Sequence, residues 1–211
     1  YPAGKGDLRY VIDQLIEDAA YYNHPMRMLC VDCNRRQELD ALYPGQFRFT
    51  ENRNAFDYLY DINRLADLGG KKLHGKRNHI NKFKALHPDF VYEPITRENL
   101  PECYAMNEEH DFRIEKIALG RAFDDYDALG LEGLLLRAEG QVMAFTMGHH
   151  IQTDTFDVNF EKAYAHIQGA YPIINREFAR YIRSKYPEVV YLNREDDMGL
   201  PGLRKAKESY H

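Results

Sequence analysis

The stretch Gly69–Leu86 carries the residues of this sequence that are best suited to bind an anion. It holds six Lys or Arg residues and no Asp or Glu, although the whole chain has a formal net charge of -5. Apolar residues recur through it at helical spacing, which predicts a helix. Positions three or four apart share one face of a helix, so Lys72, Lys76 and His79 would project together. Such a face, with Arg77 beside it, attracts phosphates or carboxylates, although a solvated basic face explains the same pattern.

Polar and glycine residues next to predicted strands and helices form a second group of candidates. Gly169 stands just before a predicted helix, as the turn Gly4–Gly6 does, and the free N–H groups of such a helix end can hold an anion. Asn193–Asp197 is a polar segment directly after a predicted strand, where clefts in α/β sheets collect ligands. Each has a simpler interpretation, because glycine also makes turns and an acidic segment also forms surface loops.

Cysteine and histidine residues at two places could ligate a metal. Cys30 and Cys33 have the spacing of half a zinc site, but the sequence has no second pair to complete four ligands. His149 and His150 are adjacent, so on a strand their side chains would point to opposite faces. We therefore predict no metal at either place. The sequence also lacks a Walker loop, an HExxH motif and a G-x-S-x-G motif, which removes several classes of enzyme.

The length and composition of the chain are those of a globular protein. It has 211 residues, 44% of them hydrophobic and 29% charged, which is typical of one large or two small domains. No apolar run approaches the roughly 20 residues needed to span a bilayer. Three cysteines, an odd number, favour a reducing cytoplasm over a disulfide framework. The sequence begins at Tyr1 and not at Met, so it leaves open a preceding segment, including a targeting segment.

Hydrophobic periodicity and turn residues predict the elements of the first half of the chain. A helix should follow the N-cap Asp7 and run to about Ala20, where apolar residues repeat at helical spacing. The other elements are predicted, in order, as a strand in MRMLCVD, a short helix at about Gln37–Leu42, strands in QFRFTEN and FDYLYDI, and the basic helix ending at His87–Pro88.

The elements of the second half follow one another more regularly. They are predicted as a strand in PDFVYEPI, helices at about Arg97–Glu108 and Phe112–Ala128, a hairpin turning at Glu139–Gly140, a strand in TDTFDVNFE, a long helix after Gly169, a strand at Glu188–Asn193 and a last helix from Leu200. The junction MNEEHDF is abrupt, which suggests that a loop is absent there.

Three long segments of the sequence are FDYLYDINRLADLGGKKLHGKRNHINKFK, FEKAYAHIQGAYPIINREFARYI and YLNREDDMGLPGLRKAKESYH. Through these three segments, nearly the whole chain resembles an uncharacterised bacterial family. That family is related to the C-terminal domain of phosphatidylglycerol lysyltransferase. The resemblance implies an α/β (α+β) fold of tandem acetyltransferase-like (GNAT) domains with mixed sheets, as in the Fem-type aminoacyl and peptidyl transferases. The first domain, residues 1–87, would be incomplete and end in the basic helix, and the second would be residues 88–211. We expect two sheets, divided near His87–Pro88.

The same resemblance implies acyl or aminoacyl transfer to an amine or a hydroxyl acceptor. The coenzyme A pyrophosphate fingerprint of GNAT enzymes is present only in a degenerate form, at His166–Ala170. This favours aminoacyl-tRNA, or another activated anionic acyl donor, over acetyl-CoA. The membrane helices of the lysyltransferase itself do not occur in this sequence. A CoA-dependent N-acetyltransferase and a non-catalytic anion-binding module remain the alternatives.

A set of acidic and basic residues would form the site of such a transferase. The acceptor loses a proton as it attacks a carbonyl carbon, and the resulting oxyanion needs hydrogen-bond donors. Glu161, ending a predicted strand, and Asp196 are the candidate bases, although a salt bridge with a lysine explains Glu161 equally well. The residues expected to bind the anionic part of the donor or acceptor are Lys72, Lys76, Arg77, His79, Gly169, Asn193, Arg204 and Lys205.

The predicted lack of a metal site is open to metal analysis. Protein purified without added metal should contain no stoichiometric zinc, because neither Cys30–Cys33 nor His149 offers ligands at the spacing of a closed tetrahedral site. Stoichiometric zinc that disappears in the variant Cys33→Ala would contradict this prediction.

Overall fold

The described residues of this computed structural model, 1–108 and 113–211, divide into two units. The division lies between Asn52 and Arg53, so the units are residues 1–52 and residues 53–211. The junction MNEEHDF, where a loop was expected to be absent, falls largely on residues 109–112 and so lies outside the described residues.

Two capped helices make up the first unit. Their bounds are Leu8–Tyr21 for α1 and Cys33–Leu42 for α2. The Asp7 carboxylate accepts a hydrogen bond from the backbone N–H of Tyr10 (3.2 Å), so the predicted N-cap and helix are confirmed. Asp32 caps α2 in the same way, which explains why this helix begins earlier than predicted.

The strands predicted in MRMLCVD and QFRFTEN are wrong, since neither segment forms a β-ladder in the described structure. Their apolar residues instead pack, from irregular backbone, against the buried side chains of Ile12, Leu39 and Tyr43. Apolar residues in these segments therefore cover two helices. Their spacing alone could not distinguish that arrangement from a short strand.

A mixed sheet of six strands forms the centre of the second unit as described. The strands are β1 (Leu59–Asp61), β2 (Val91–Pro94), β3 (Glu132–Ala138), β4 (Gln141–Gln152), β5 (Thr155–Ala163) and β6 (Tyr191–Asn193). Their order across the sheet is β1-β6-β5-β4-β3-β2. Strands β5 and β6 run parallel, whereas the other neighbouring pairs are antiparallel. The predicted mixed α/β fold is confirmed, and so is the hairpin, which turns through Glu139 and Gly140.

Helices cover both faces of this sheet. Their bounds are α3 (Ile62–Asp67), α4 (His74–Leu86), α5 (Leu100–Glu108), α6 (Arg113–Asp124), α7 (Ala170–Lys185) and α8 (Pro201–Glu208). On one side, which we call the α7 face, Ile80 and Ile173 share a core with Phe156 of the sheet. On the other side, the α6 face, Leu119 packs in a second core with Phe145.

The predicted division of the sheet near His87–Pro88 is wrong, because strands from both sides of that point belong to one sheet. Strand β1 pairs with β6, with Tyr60 opposite Leu192. A strand of three residues is too short for a sheet of its own, so β1 obtains its hydrogen bonds at the edge of this one. Helix α4 likewise shares the core of α7 and does not separate two sheets.

A β-bulge in β5 turns the polar residues of that strand toward both faces of the sheet. Met147 lies opposite Phe160 in the β4–β5 ladder. His149 is two residues after Met147 in β4, and it lies opposite Asp157, which is three residues before Phe160 in β5. The extra residue inverts the alternation of side chains beyond it. Before the bulge the even-numbered residues of β5 point to the α7 face, and after it the odd-numbered residues do.

Gly148 lies where this bulge brings the two strands closest, so an alanine there should destabilise the protein. A Cβ on Gly148 would overlap the backbone carbonyl oxygen of Asp157, which has little freedom to move. We expect Gly148→Ala to lower the free energy of unfolding by about 1–3 kcal/mol, the usual cost of overpacking. Gly75→Ala is the control, because a Cβ there meets no atom within 4 Å and alanine is favoured in a helix. Denaturant titrations in which the two variants behave alike would contradict this account of the bulge.

Candidate functional site

Strands β5 and β6 run side by side for three residues and then part. Their ladder ends at Asp157 and Asn193. Beyond that point β5 continues along β4, while the chain after Asn193 stays hydrogen-bonded to Tyr58 on the β1 side. The parting leaves a gap between the two strands, and its two faces carry side chains of opposite charge.

On the α7 face, the gap is bordered by a buried ion pair between Arg194 and Glu161. The Nη2 of Arg194 donates to Oε1 of Glu161 (2.8 Å), and each side chain is 12% exposed. The second oxygen of Glu161 accepts from Nδ2 of Asn175 on α7 (2.9 Å). Glu161 therefore has an arginine as its ionic partner, and not the lysine that the alternative interpretation supposed.

Two tyrosines and a lysine surround this guanidinium. The Cζ of Arg194 lies 5.8 Å from the ring centre of Tyr60 and 5.3 Å from that of Tyr210. Lys76 of α4 places its Nζ 4.1 Å from the centre of the Tyr210 ring. Burial lowers the pKa of Lys76, and Arg194 lowers it further while Glu161 opposes this. We call the set the Arg194 cluster, which comprises Tyr60, Lys76, Glu161, Asn175, Arg194 and Tyr210.

The Arg194 cluster has an excess of positive charge and two unpaired polar atoms. Arg194 and Lys76 are two cations against the one carboxylate of Glu161. Nη1 of Arg194 and Oδ1 of Asn175 are both buried without a hydrogen-bond partner. A buried polar atom without a partner costs about 1–3 kcal/mol of stability. A bound group that accepts a hydrogen bond from Arg194 and donates one to Asn175 would remove that cost.

Lys207 of α8 holds the backbone segment that carries Arg194. Its buried Nζ donates to the backbone carbonyl oxygens of Arg194, Glu195 and Asp196. Burial lowers the pKa of Lys207, and the positive charge of Arg194 lowers it further. Because one ammonium binds three consecutive carbonyls, the segment is fixed with Arg194 on the α7 face and Glu195 on the α6 face.

On the α6 face, the gap carries acidic residues. Asp157 lies between His149 of β4 and Asn193 of β6. Asp157 is 8% exposed; its Oδ2 accepts from Nδ2 of Asn159 (3.0 Å), whereas its Oδ1 is buried and has no partner. The amide of Asn159 also donates to Glu195 (3.2 Å). The Oδ1 of Asn159 lies 2.8 Å from Nδ1 of His149.

A further carboxylate, Asp57, completes this group by accepting a hydrogen bond from the amide of Asn193 (2.9 Å). Burial raises the pKa of Asp157, an effect that His149 opposes and Asp57 strengthens. A carboxylate in this state is suited to take up a proton or to bind an ammonium group. We call the set the Asp157 cluster, which comprises Asp57, His149, Asp157, Asn159, Asn193 and Glu195.

A cavity of about 420 Å³ borders the Asp157 cluster. His149, Asn159 and Glu195 form its polar side. Its apolar wall consists of Ala118, Ala122, Leu129, Leu131 and Phe160. We call it the α6 cavity.

Another cavity, of about 790 Å³, lies at the C-terminal end of α4, and we call it the α4 cavity. Its polar lining comes from Lys82, His87, Glu139, Gln141, Tyr164, His166 and Gln168. Two of these residues contact each other directly, since Nδ1 of His87 lies 2.8 Å from Oε1 of Glu139. The α4 cavity thus adjoins the segment His166–Ala170, where the degenerate coenzyme A fingerprint lies.

The structure brings some of the predicted site residues together and separates others. Lys76 and Glu161 meet in the Arg194 cluster, and Asn193 lies in the Asp157 cluster. The side chains of Lys72, Lys205 and His79 are exposed outside both clusters. The basic face of α4 is therefore not one continuous set of side chains directed at a single site.

Arg77 has a structural contact that the sequence did not reveal. Its guanidinium donates to the backbone carbonyl oxygens of Leu68 and Gly70, directly after the end of α3. The carbonyl groups at a helix end have no partner within the helix, so Arg77 completes the C-terminus of α3. Its predicted role in binding an anion stays a prediction, and these two contacts give Arg77 a structural role as well.

Two other predicted residues, Asp196 and Arg204, serve the fold of the segment before α8. Asp196 accepts a hydrogen bond from the backbone N–H of Met198 (2.9 Å), so its carboxylate closes a turn. Arg204 forms two hydrogen bonds with the buried carboxylate of Asp197 (2.7 and 2.8 Å). Tyr58 donates to the same carboxylate (2.7 Å). Neither residue faces the gap as a free base or a free cation.

Gly169 is required for close packing between α4 and α7. Its φ is 92°, and a Cβ there would overlap the carbonyl oxygen of His79. This close approach fixes the position of the turn before α7 against α4. The phosphate or oxyanion site predicted at this turn stays a prediction.

Sequence reasoning singled out the segment Asn193–Asp197 but gave its Arg194 no role, and it missed Asp157 altogether. One signal was present in DVNFE, where Asp157, Asn159 and Glu161 alternate along β5. Polar residues at alternating positions of a strand beside buried neighbours point to a functional face. The bulge, which sends Asp157 and Glu161 to opposite faces, has no such signal.

The whole chain, residues 1–211, matches the family of the phosphatidylglycerol lysyltransferase C-terminal domain. The chain belongs to this family. The resemblance inferred from the three long sequence segments is thereby confirmed. No curated protein matches the chain.

Solved structures relate this lysyltransferase-family chain to GNAT-like folds. A conserved protein of unknown function from Bacteroides thetaiotaomicron is 43% identical, with a TM-score of 0.91 over 100% of this chain and 74% of that one. The C-terminal domain of a protein assigned as a lysylphosphatidylglycerol synthetase from Agrobacterium fabrum is 12% identical, with a TM-score of 0.64 over 99% and 71%. A tandem GNAT protein from the clavulanic acid biosynthesis pathway is 10% identical, with a TM-score of 0.52 over 96% and 65%. The last two likenesses show the fold alone.

In the described part of this lysyltransferase-family chain, no helix has the length and apolar character needed to cross a membrane. The same residues contain no group of three or more His, Cys, Asp or Glu side chains placed to hold a metal ion. Cys30 and Cys33 are both exposed, free thiols.

The buried carboxylate of Asp197 makes a pH dependence of stability predictable for this family member. Its hydrogen bonds from Arg204, and then those from Tyr58 and the Gly199 N–H, lower the pKa of Asp197 against the effect of burial. A carboxylate with a lowered pKa adds stability above its unfolded pKa of about 4 and loses it as the pH falls toward the folded value. Asp197→Asn should therefore lower the Tm at neutral pH, and its difference from the unmodified protein should shrink below about pH 4.

The control for this measurement is Asp125→Asn, at an exposed position beyond α6. This change should leave the Tm nearly unaltered across the same range. A Tm difference for Asp197→Asn that stays constant down to about pH 2 would show that the Asp197 carboxylate adds no charge-dependent stability.

Proposed function

We propose that this chain is an acyl or aminoacyl transferase that holds the reacting carbonyl group of its donor at the Arg194 cluster. The observation that carries the proposal is the buried, unpaired Nη1 of Arg194 in the gap between β5 and β6. Attack on an ester or thioester puts negative charge on the carbonyl oxygen, and a preorganised donor in a water-poor site stabilises that charge. The ammonium of Lys76 adds a second positive charge nearby. Membership of the lysyltransferase family and the GNAT-like fold support this type of reaction.

In this proposal, Glu161 positions Arg194 and does not act as the base. Both oxygens of Glu161 already accept hydrogen bonds, one from Arg194 and one from Asn175. A carboxylate held at one oxygen by a guanidinium and at the other by an amide has a fixed orientation. Its effect on the reaction is to fix the direction of the guanidinium, which is a positioning role.

The unpaired Oδ1 of Asn175 favours an aminoacyl donor over an acetyl donor. An aminoacyl group has an α-amino group next to its carbonyl, whereas an acetyl group has only a methyl there. The amino group could donate to Asn175 while the carbonyl oxygen accepts from Arg194. Aminoacyl-tRNA is the donor that fits this observation.

A CoA-dependent N-acetyltransferase is the second candidate, and the α4 cavity is the observation that favours it. Lys82, His87 and His166 lie around a space of about 790 Å³, next to the segment where GNAT enzymes bind the pyrophosphate. Cationic and imidazole side chains in such a place attract phosphate groups. The same side chains could contact the phosphates of tRNA, so this cavity alone does not decide between the two donors.

Transfer assays with matched variants test the proposal. The protein would be given labelled aminoacyl-tRNA or acetyl-CoA, with a panel of amine and hydroxyl acceptors that includes phosphatidylglycerol. We expect transfer from aminoacyl-tRNA, and a loss in kcat of about 100-fold or more in Arg194→Lys, as for other lost oxyanion donors. Lysine cannot reproduce the two-pronged contact of Arg194 with Glu161 and a substrate oxygen. Lys76→Met should cause a smaller loss in the same parameter.

Lys205→Ala is the matched control, because Lys205 is a cation exposed on α8 outside the cluster. It should leave kcat unchanged. Circular dichroism spectra of Arg194→Lys and Lys76→Met would show whether either variant has lost its fold. Full activity in both folded variants would contradict the proposal. Binding of tRNA or acetyl-CoA without transfer to any acceptor would favour the anion-binding module instead.

A further inference from the structure

We infer that His149 presents a free ring nitrogen, Nε2, to the α6 cavity and is the base that takes the proton of an acceptor bound there. The proposed function, on which this inference rests, gives Glu161 a positioning role and so needs another base. His149 lines the cavity from β4, and Asn159 and Glu195 line it beside His149. The side chains that form the site are therefore all in contact with the cavity.

The hydrogen bonds of Asn159 determine which nitrogen of His149 carries the hydrogen. The amide nitrogen of Asn159 donates to Asp157 (3.0 Å) and to Glu195 (3.2 Å). An ionised carboxylate only accepts hydrogen bonds, so the amide oxygen is the atom that lies 2.8 Å from Nδ1 of His149. That oxygen needs a donor, and Nδ1 must therefore carry the hydrogen. In the neutral ring, Nε2 then has a free lone pair.

The surroundings of His149 leave Nε2 available and favour a positive charge on the ring. Among residues 1–108 and 113–211, Nε2 has no hydrogen-bond partner, and Nδ1 is already bound to Asn159. A molecule in the cavity can therefore use only Nε2. Asp157 lies opposite His149 in the β4–β5 ladder. Burial raises the pKa of Asp157, and the positive charge of His149 opposes this, so the carboxylate stabilises an imidazolium in turn.

The α6 cavity suits an acceptor whose reactive O–H or neutral N–H group is attached to an apolar body. One wall of the cavity is apolar and would bury such a body, while the reactive group donates a hydrogen bond to Nε2. The Asn159–Glu195 hydrogen bond joins β5 to the segment after β6 on this face of the gap, as Arg194 and Glu161 do on the other. The acceptor and the donor's carbonyl group would thus meet at one gap.

In the transfer step, the oxygen or nitrogen of the acceptor forms a bond to the acyl carbon while its proton passes to Nε2 of His149. The bond from that carbon to the donor's oxygen or sulfur breaks, and the leaving atom keeps the electron pair. The imidazolium then gives the proton to the leaving atom, which returns His149 to its neutral form. Asn159 has a positioning role, because it keeps the hydrogen on Nδ1 and leaves Nε2 free.

Modification by diethyl pyrocarbonate, followed for each histidine by peptide mass spectrometry, tests the free nitrogen without any acyl donor. The reagent acylates an accessible, unprotonated imidazole nitrogen. We expect His149 to be modified in the folded protein, with the exposed His24 as the internal reference. NMR spectra of the neutral ring should show the hydrogen of His149 on Nδ1, and Asn159→Leu should abolish this preference. An unmodified His149 where His24 reacts, or a hydrogen on Nε2, would overturn the inference.

The transfer assay separates this inference from the proposed function. His149→Gln should lower kcat by about 100-fold or more, as the loss of a general base does. His150→Gln is the matched control, because His150 is the exposed neighbour whose ring lies against Tyr186, and it should leave kcat unchanged. Full kcat in a folded His149→Gln variant would overturn the inference and leave the proposed function standing. Absence of transfer from any donor would overturn the proposed function, whereas modification of His149 would still establish its free nitrogen at the cavity.

Discussion

The burial of the Arg194 guanidinium is the constraint on which the rest of the second unit depends. Removing an arginine from water costs several kcal/mol unless a well-placed partner and further contacts compensate. Here the compensation is assembled from distant parts of the sequence: Glu161 of β5 pairs with it, and Tyr60 of β1 and Tyr210 after α8 flank it. Lys207 fixes the backbone that carries it. This shared requirement explains why the end of the chain, with Tyr210 only 4% exposed, belongs to the main core.

The bulge in β5 is what gives the gap two faces of different charge. A regular strand would direct Asp157 and Glu161 to the same side of the sheet, because they are four positions apart. One extra residue sends Glu161 to the α7 face, where two cations lie, and leaves Asp157 on the α6 face among other carboxylates. In the proposed reaction, this separation keeps the cations that stabilise the oxyanion on one face of the gap and the carboxylates of the Asp157 cluster on the other. The close approach at Gly148 is the structural requirement for that arrangement.

The sequence was informative where local signals decide the structure. The cap at Asp7, the apolar periodicity of α1 and α7, and the turn at Glu139–Gly140 all act over a few residues, so those elements were predicted correctly. The site needed long-range information. Arg77 and Arg204 have the composition of anion-binding residues, but each is engaged by an intramolecular partner that only the fold reveals. A sequence shows which charges are present and does not show which of them are already paired.

The positive charges of the basic run Gly69–Leu86 lie in different environments. No Asp or Glu forms a salt bridge with a lysine of α4 within the described residues, so repulsion along the helix is met by packing of Ile80 and Phe83 and by solvent. Water screens the charges of exposed lysines, so these lysines do not require an acidic partner or a bound anion. Lys76 is different: it is half-buried beside Arg194, and burial already lowers its pKa. The need for an anion is therefore concentrated at Lys76 and Arg194 in the gap, and not spread along the outer face of the helix.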